Sequence, residues 1–194
     1  MHKRRIVWGA AAIAALCLLL LGSSVLAQPE VPLSEMTLGE EKIPVEVGIL
    51  SEGQNPFDDP AHPINEVSSK EFFVHPYREG YHAQYQGTGL AIGQYLYRYD
   101  TPKQAVEQTE AFVEYVQNND KVKALAPVVR EAAVDRLILE VDDTEGTGRY
   151  YWFIENKGNI LMMLMVGGLP GESTESIFDN LRLQLEEQVE SATR

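Results

Sequence analysis

Seven apolar residues in a row, Ile160-Leu161-Met162-Met163-Leu164-Met165-Val166, restrict what this chain can fold into more than any other stretch. A strand sends successive side chains to opposite faces, so a half-exposed strand alternates apolar with polar. This run has no polar residue on either face, and is therefore expected to be buried on both, in the middle of a sheet. A buried helix would fit the composition, but a run closed by Gly167-Gly168 and Pro170 is short for one. Just before it, Arg149-Tyr150-Tyr151-Trp152-Phe153-Ile154 has a second strand pattern, and Asn156-Lys157-Gly158-Asn159 tolerates a chain reversal. The two runs read as a hairpin. In the second run Leu161, Met163 and Met165 share one face, and Ile160, Met162, Leu164 and Val166 the other.

The rest of the regular structure is built around that hairpin. Ile43 to Leu50 alternates as one strand, with Pro44 near its start pointing to an edge position. Ser51 to Gly80 is loop-like, since Asn55-Pro56, Asp59-Pro60, His62-Pro63 and His75-Pro76 each disfavour helix at the preceding residue. Gly89 to Tyr99 reads as a strand with Tyr95, Tyr97 and Tyr99 on one face and Leu90, Ile92 and Leu96 on the other. Thr101-Pro102-Lys103-Gln104 then starts a helix, with Thr101 as N-cap, Pro102 at the first helical position and Gln104 closing a capping box. Ala105, Val106, Thr109, Phe112, Val113 and Val116 form its expected buried stripe, with Gln108 on the opposite side. Lys121 to Val134 has no single period, and Pro127 breaks any long helix there. Arg136 to Val141 alternates as a strand, and Ser173 to Val189 forms a closing helix with Ile177, Phe178, Leu181, Leu185 and Val189 inward.

This order predicts an α+β domain: a mainly antiparallel sheet, two helices packed on one face, and the N-terminal loop segment Ile43 to Gly80 over the other. Residues 1–27 read as a signal peptide, 28–80 as an acidic, Pro-rich lead-in with one strand and a long loop, and 81–194 as the α+β core domain.

The N-terminal assignment rests on three features. His2-Lys3-Arg4-Arg5 is basic, Ile6 to Leu21 is apolar, and Val25 and Ala27 suit cleavage before Gln28. The alternative is an uncleaved anchor over residues 6–27. Gln28 to Lys42 has no apolar period and reads as a tether or a disordered lead-in. Cys17 is the only cysteine, so cleavage removes thiol, disulfide and Cys-metal chemistry. The formal charge of −13 becomes more negative once Lys3, Arg4 and Arg5 leave, which opposes binding to nucleic acid and to anionic lipid. The expected location is secreted, periplasmic or extracellular, with membrane association only if the N-terminal segment is retained.

A strand ending Tyr97-Arg98-Tyr99-Asp100-Thr101-Pro102, a following helix, the Arg149 to Asn159 hairpin and a terminal helix resemble the layout of secreted PsbP-like α/β domains. The same layout resembles bacterial extracellular sensor-type lipoprotein domains. The likeness covers Tyr81 to Val189, and what it implies is a non-catalytic binding or accessory role.

No catalytic motif accompanies this layout. There is no Gly-x-Ser-x-Gly elbow, and Gly87-Thr88-Gly89 and Gly167-Gly168 lack the residues that make a phosphate loop. Asp142 to Gly146 is acidic but places its Gly wrongly for a calcium loop. Asp58, Asp59, His62, His75 and His82 match no metal-ligand spacing, so neither metal nor cofactor is expected. Clustering of His62, His75 and His82 with a carboxylate would instead favour a secreted hydrolase-type enzyme without a recognisable motif. The candidate binding residues are aromatic: Tyr95, Tyr97, Tyr99, Tyr150 and Trp152, which could line a groove or simply pack on half-buried strands. The function expected is that of an exported, non-catalytic binding or accessory domain for a protein, peptide or small-molecule ligand.

Overall fold

The two-faced apolar run does lie at the centre of a sheet. A computed structural model describes residues 30–54, 73–118, 127–133, 136–142, 148–168 and 172–194; the expected signal peptide, Asp58, Asp59, His62 and most of the acidic turn after Asp142 lie outside these. The strands are β1 (Gly48–Gln54), β2 (Glu79–Gly87), β3 (Leu90–Arg98), β4 (Val128–Ala133), β5 (Arg136–Asp142), β6 (Arg149–Lys157) and β7 (Ile160–Gly168). They form one sheet in the order β1-β2-β3-β7-β6-β5-β4, with every neighbouring pair antiparallel. The α+β expectation with an antiparallel sheet therefore holds. β7 sits between β3 and β6, and the β6–β7 hairpin turns at Gly158, whose φ of 57° suits glycine. Asn159 ties that turn to the end of β3: its side-chain Nδ2 donates to Tyr99 O at 2.7 Å, and Tyr99 N donates to Asn159 O at 2.9 Å.

Two helices flank the sheet, α1 (Pro102–Asn118) and α2 (Glu172–Thr193). They lie on opposite faces, which corrects the expectation that both would share one. Ile92, Leu96, Met162, Leu164 and Val166 pack with Phe178, Leu181, Leu185 and Val189 of α2. Tyr95, Tyr97, Tyr99, Leu161 and Met163 pack instead with Ala105 and Phe112 of α1. The reason is twofold. β3 and β4 run in the same direction with three strands between them, so the link through α1 must cross one face of the sheet. β7 is apolar on both sides, and one helical stripe cannot cover two faces.

The N-terminal segment also differs from expectation. Residues expected to be a tether are docked: Leu33, Met36 and Leu38 are wholly buried beside α2, in a segment that contains two short 3-10 turns, Leu33–Glu35 and Glu40–Lys42. They contribute to the α2 face, whereas Phe73 and Tyr77, before β2, pack on the α1 face. Lead-in residues thus reach both faces, each joining a helix. Polar contacts hold the strap down. Leu33 N donates to Glu79 Oε1 at 3.3 Å, Arg98 bridges Glu79 and Val31 O, and Gln188 Nε2 donates to Glu35 O at 2.8 Å.

β1 begins at Gly48 rather than Ile43, and it is an edge strand as expected. β2 and β4 were not anticipated. All six residues of β4 are exposed, so no apolar alternation marks it. α1 starts as predicted, with Gln104 N donating to Thr101 Oγ1 at 3.3 Å and Thr101 N to Gln104 Oε1 at 3.0 Å. Its buried stripe includes Gln108, which was assigned to solvent, because Gln108 Oε1 accepts the Val74 amide at 2.9 Å.

Candidate functional site

One end of the sheet carries an open groove of about 1070 Å³, lined by apolar and polar side chains in similar measure. Three elements build it. Residues Val45 to Leu50 run into β1, the tight turn Gly87-Thr88-Gly89 joins β2 to β3, and α2 contributes Ser173, Thr174 and Ile177. Val45, Ile49 and Leu50 are 39%, 51% and 63% exposed, a concentration of apolar surface that the two cores leave uncovered. The register of β1 slips between Ile49 and Ser51, so Leu50 is an extra residue that breaks the alternation and lets neighbouring apolar side chains both face solvent.

Close backbone approach shapes the groove. A Cβ at Gly87 would lie 2.7 Å from Glu46 O, so only glycine lets the 45–48 segment pass this close to the β2–β3 turn. A Cβ at Gly168 would lie 3.0 Å from Gly89 O and 2.9 Å from Thr174 Oγ1, so Gly168 likewise permits the end of β7 to meet the start of α2. Two smaller hollows share residues with the groove. One, of about 260 Å³, shares Gln86, Gly87, Gly89 and Leu90 and adds Tyr150; the other, of about 340 Å³, shares Val45, Ser173 and Ile177.

The charge that lines the groove is negative, and the arginines near its ends are paired: Arg130 with Glu140 and Glu175, Arg149 with Glu140 and Asp142. Among the described residues Glu46 is the ionisable side chain lining the groove, and neither smaller hollow is lined by a charged one. Glu40 accepts the Ile49 amide at 2.9 Å on its Oε1. Burial pushes the Tyr85 phenol up to about 12, and the negative charges of Glu52, Glu40 and Glu41 add to that shift.

The five candidate aromatic residues are placed on one side of the sheet, and they divide into two groups. Tyr95, Tyr97 and Tyr99 are buried in the α1 core; Tyr97 stacks edgewise on Phe73 at 5.1 Å, and burial raises its phenol and that of Tyr99 far above the ordinary range. Trp152 packs partly buried against the same core. Tyr150, 39% exposed, lies across Gly167, where any side chain would run into its ring, and lines the hollow beside the groove. Sequence reasoning missed Val45, Ile49, Leu50, Thr88 and Ser173. The consecutive pair Ile49-Leu50 at the end of an alternating run was the available signal, since two adjacent apolar residues cannot both face a one-sided core.

His75 and His82 have different partners, and His62 lies outside the described residues. His75 Nε2 lies 2.7 Å from Glu107 Oε2, which together with Lys103 holds the Glu107 carboxyl below its usual range. His82 lies elsewhere, its Nε2 3.3 Å from Ser51 Oγ. Gln84 Nε2 donates to Tyr95 OH at 2.6 Å, which turns Gln84 Oε1 toward Ser51 as an acceptor at 3.0 Å. The serine hydroxyl thus donates to Gln84 rather than to His82, whereas activation of a serine nucleophile requires donation to the histidine. Among the described residues no group of three His, Cys, Asp or Glu is placed to hold a metal ion.

No family model matches the sequence, and no curated protein matches it. Among solved structures, the extracellular domain of PknH from Mycobacterium tuberculosis is similar in fold. Its TM-score is 0.52 at 8% sequence identity, and the likeness covers 79% of this chain and 94% of that one. At that identity the likeness is one of fold alone.

Proposed function

We propose that this chain is an exported, non-catalytic binding or accessory domain, and that it takes its ligand in the groove between residues 45–50, the β2–β3 turn and the start of α2. The observation that carries the reading is the apolar floor itself: Val45, Ile49 and Leu50 stay exposed although the protein covers both faces of its sheet. An uncovered cluster of this kind marks an interaction site more often than a defect. Export is supported by the basic, apolar and small-residue succession of residues 1–27, and by the extracellular origin of the structural neighbour. The excess of acids argues against nucleic acid as the ligand.

The test is titration of the mature chain from Gln28 with Nile red, a neutral dye that brightens in apolar sites. Saturable binding at one site per chain is expected, and Leu50→Ser with Ile49→Ser should weaken it about tenfold or more, through loss of apolar contact area. Binding unchanged in that double variant, or no saturable binding at all, would remove the groove as the ligand site.

A further inference from the structure

We infer that the occupant of the groove is a short peptide segment of another protein, carrying a basic residue beside apolar ones. This rests on the reading of the groove as the ligand site.

Shape and size come first. A volume of about 1070 Å³ is at the upper end for small-molecule pockets, which run to about 1,000 Å³, and the groove is open to solvent rather than enclosed. That suits a chain laid across it better than an enclosed small molecule. Polar groups for a peptide backbone are at hand along the walls: Gln86, Thr88 and Ser173, with the main chain of the β2–β3 turn.

The peptide does not extend the sheet at Ile49. A peptide joining an edge strand needs that strand's outward amides, and the Ile49 amide is already donated to Glu40. The extra residue at Leu50 further breaks the regular edge. Recognition therefore runs through side chains, with Val45, Ile49 and Leu50 as the apolar floor.

Charge decides between the remaining ligand classes. Glu46 lines the groove, Glu40, Glu41 and Glu52 stand near Tyr85 at the same edge, and among the described residues no lysine or arginine lines the groove or the hollows on either side. An apolar ligand with an anionic head, such as a fatty carboxylate or an anionic phospholipid, meets like charge and has no counter-ion in the walls. A Lys or Arg flanking apolar side chains finds the opposite charge at Glu46 while its neighbours cover the floor.

The experiment uses calorimetric titration of the mature chain with end-capped hexapeptides of leucine, valine and alanine. They differ only in one central residue: Lys, Gln or Glu. The Lys peptide is expected to bind about five- to tenfold tighter than the Glu peptide, with Gln between, as several partly exposed charges would produce. Raising salt from about 50 to about 500 mM should shrink that gap. Glu46→Gln should weaken the Lys peptide about two- to threefold and narrow its lead over the Glu peptide. Equal affinities for the Lys and Glu peptides, with Nile red still bound, would overturn the basic-peptide inference and leave the groove standing. Binding of phosphatidylglycerol vesicles without binding of any peptide would overturn it in favour of lipid. Loss of Nile red binding as well would bring down the reading of the groove itself.

Discussion

The side-chain amide of Gln94 holds both backbone groups of Leu38: Leu38 N donates to Gln94 Oε1 at 2.9 Å, and Gln94 Nε2 donates to Leu38 O at 3.0 Å. Gln94 is a central-strand residue and is fully buried; in effect it offers the strap the pair of bonds that a neighbouring strand would offer. The same carbonyl accepts the Tyr85 hydroxyl at 2.8 Å. Buried backbone groups must be paired, so these side chains are what allow an irregular segment to lie inside the protein.

Replacing Gln94 with leucine, which keeps the volume, should therefore destabilise the protein by about 2–4 kcal/mol, from two lost bonds and a buried Leu38 N–H left without an acceptor. Urea melts would read the loss. Hydrogen exchange should show residues 31–43 opening before the sheet, and exchange that stays uniform across the protein would contradict the role given to this contact.

On the other face, Phe112 of α1 is buried against the tyrosine-rich side of the sheet, whereas Thr101 caps the helix in solvent. Phe112→Ala should cost about 3–5 kcal/mol, and Thr101→Ala about 1 kcal/mol. Chemical denaturation of the two variants checks the order. A larger loss at Thr101 would mean that α1 is held by its cap rather than by its core contact.

Tyrosine ionisation sets an alkaline limit. Tyr85 is held up to about 12, first by burial and then by Glu52, and burial also raises Tyr81, Tyr95, Tyr97, Tyr99 and Tyr151. A folded-state pKa above the unfolded value of 10.0 means that the folded protein keeps protons the unfolded chain releases. The stabilisation is complete below pH 10 and is lost as pH rises through the folded values. Stability should fall steeply above pH 10, and most phenolate absorbance should appear together with unfolding. Tyr85→Phe should flatten this dependence between pH 10 and 12, at a cost of about 1 kcal/mol from the lost bond to Leu38 O. An unchanged pH profile in that variant would show that Tyr85 does not contribute.

Local pattern was enough to determine the centre of this protein and the start of its first helix. The unbroken apolar run from Ile160 to Val166 required burial on both faces, the alternation of Tyr95, Tyr97 and Tyr99 with Leu90, Ile92 and Leu96 divided β3 between two cores, and Thr101 with Gln104 marked the beginning of α1. Each is a contact between near neighbours, or a periodicity that repeats within one element. Only the tertiary structure decided which face each helix covers, because that depends on the path of the β3-to-β4 crossover and on how much apolar surface each face must hide. It alone turned Leu33, Met36 and Leu38 from an unpatterned lead-in into core, since the groups that pair with Leu38 sit on strands more than forty residues away. The groove is of the same kind. Val45, Ile49 and Leu50 carry no signature of a site until the β2–β3 turn and the start of α2 are folded beside them. Three segments far apart in the chain must meet before an apolar residue can be recognised as one that the fold has left uncovered.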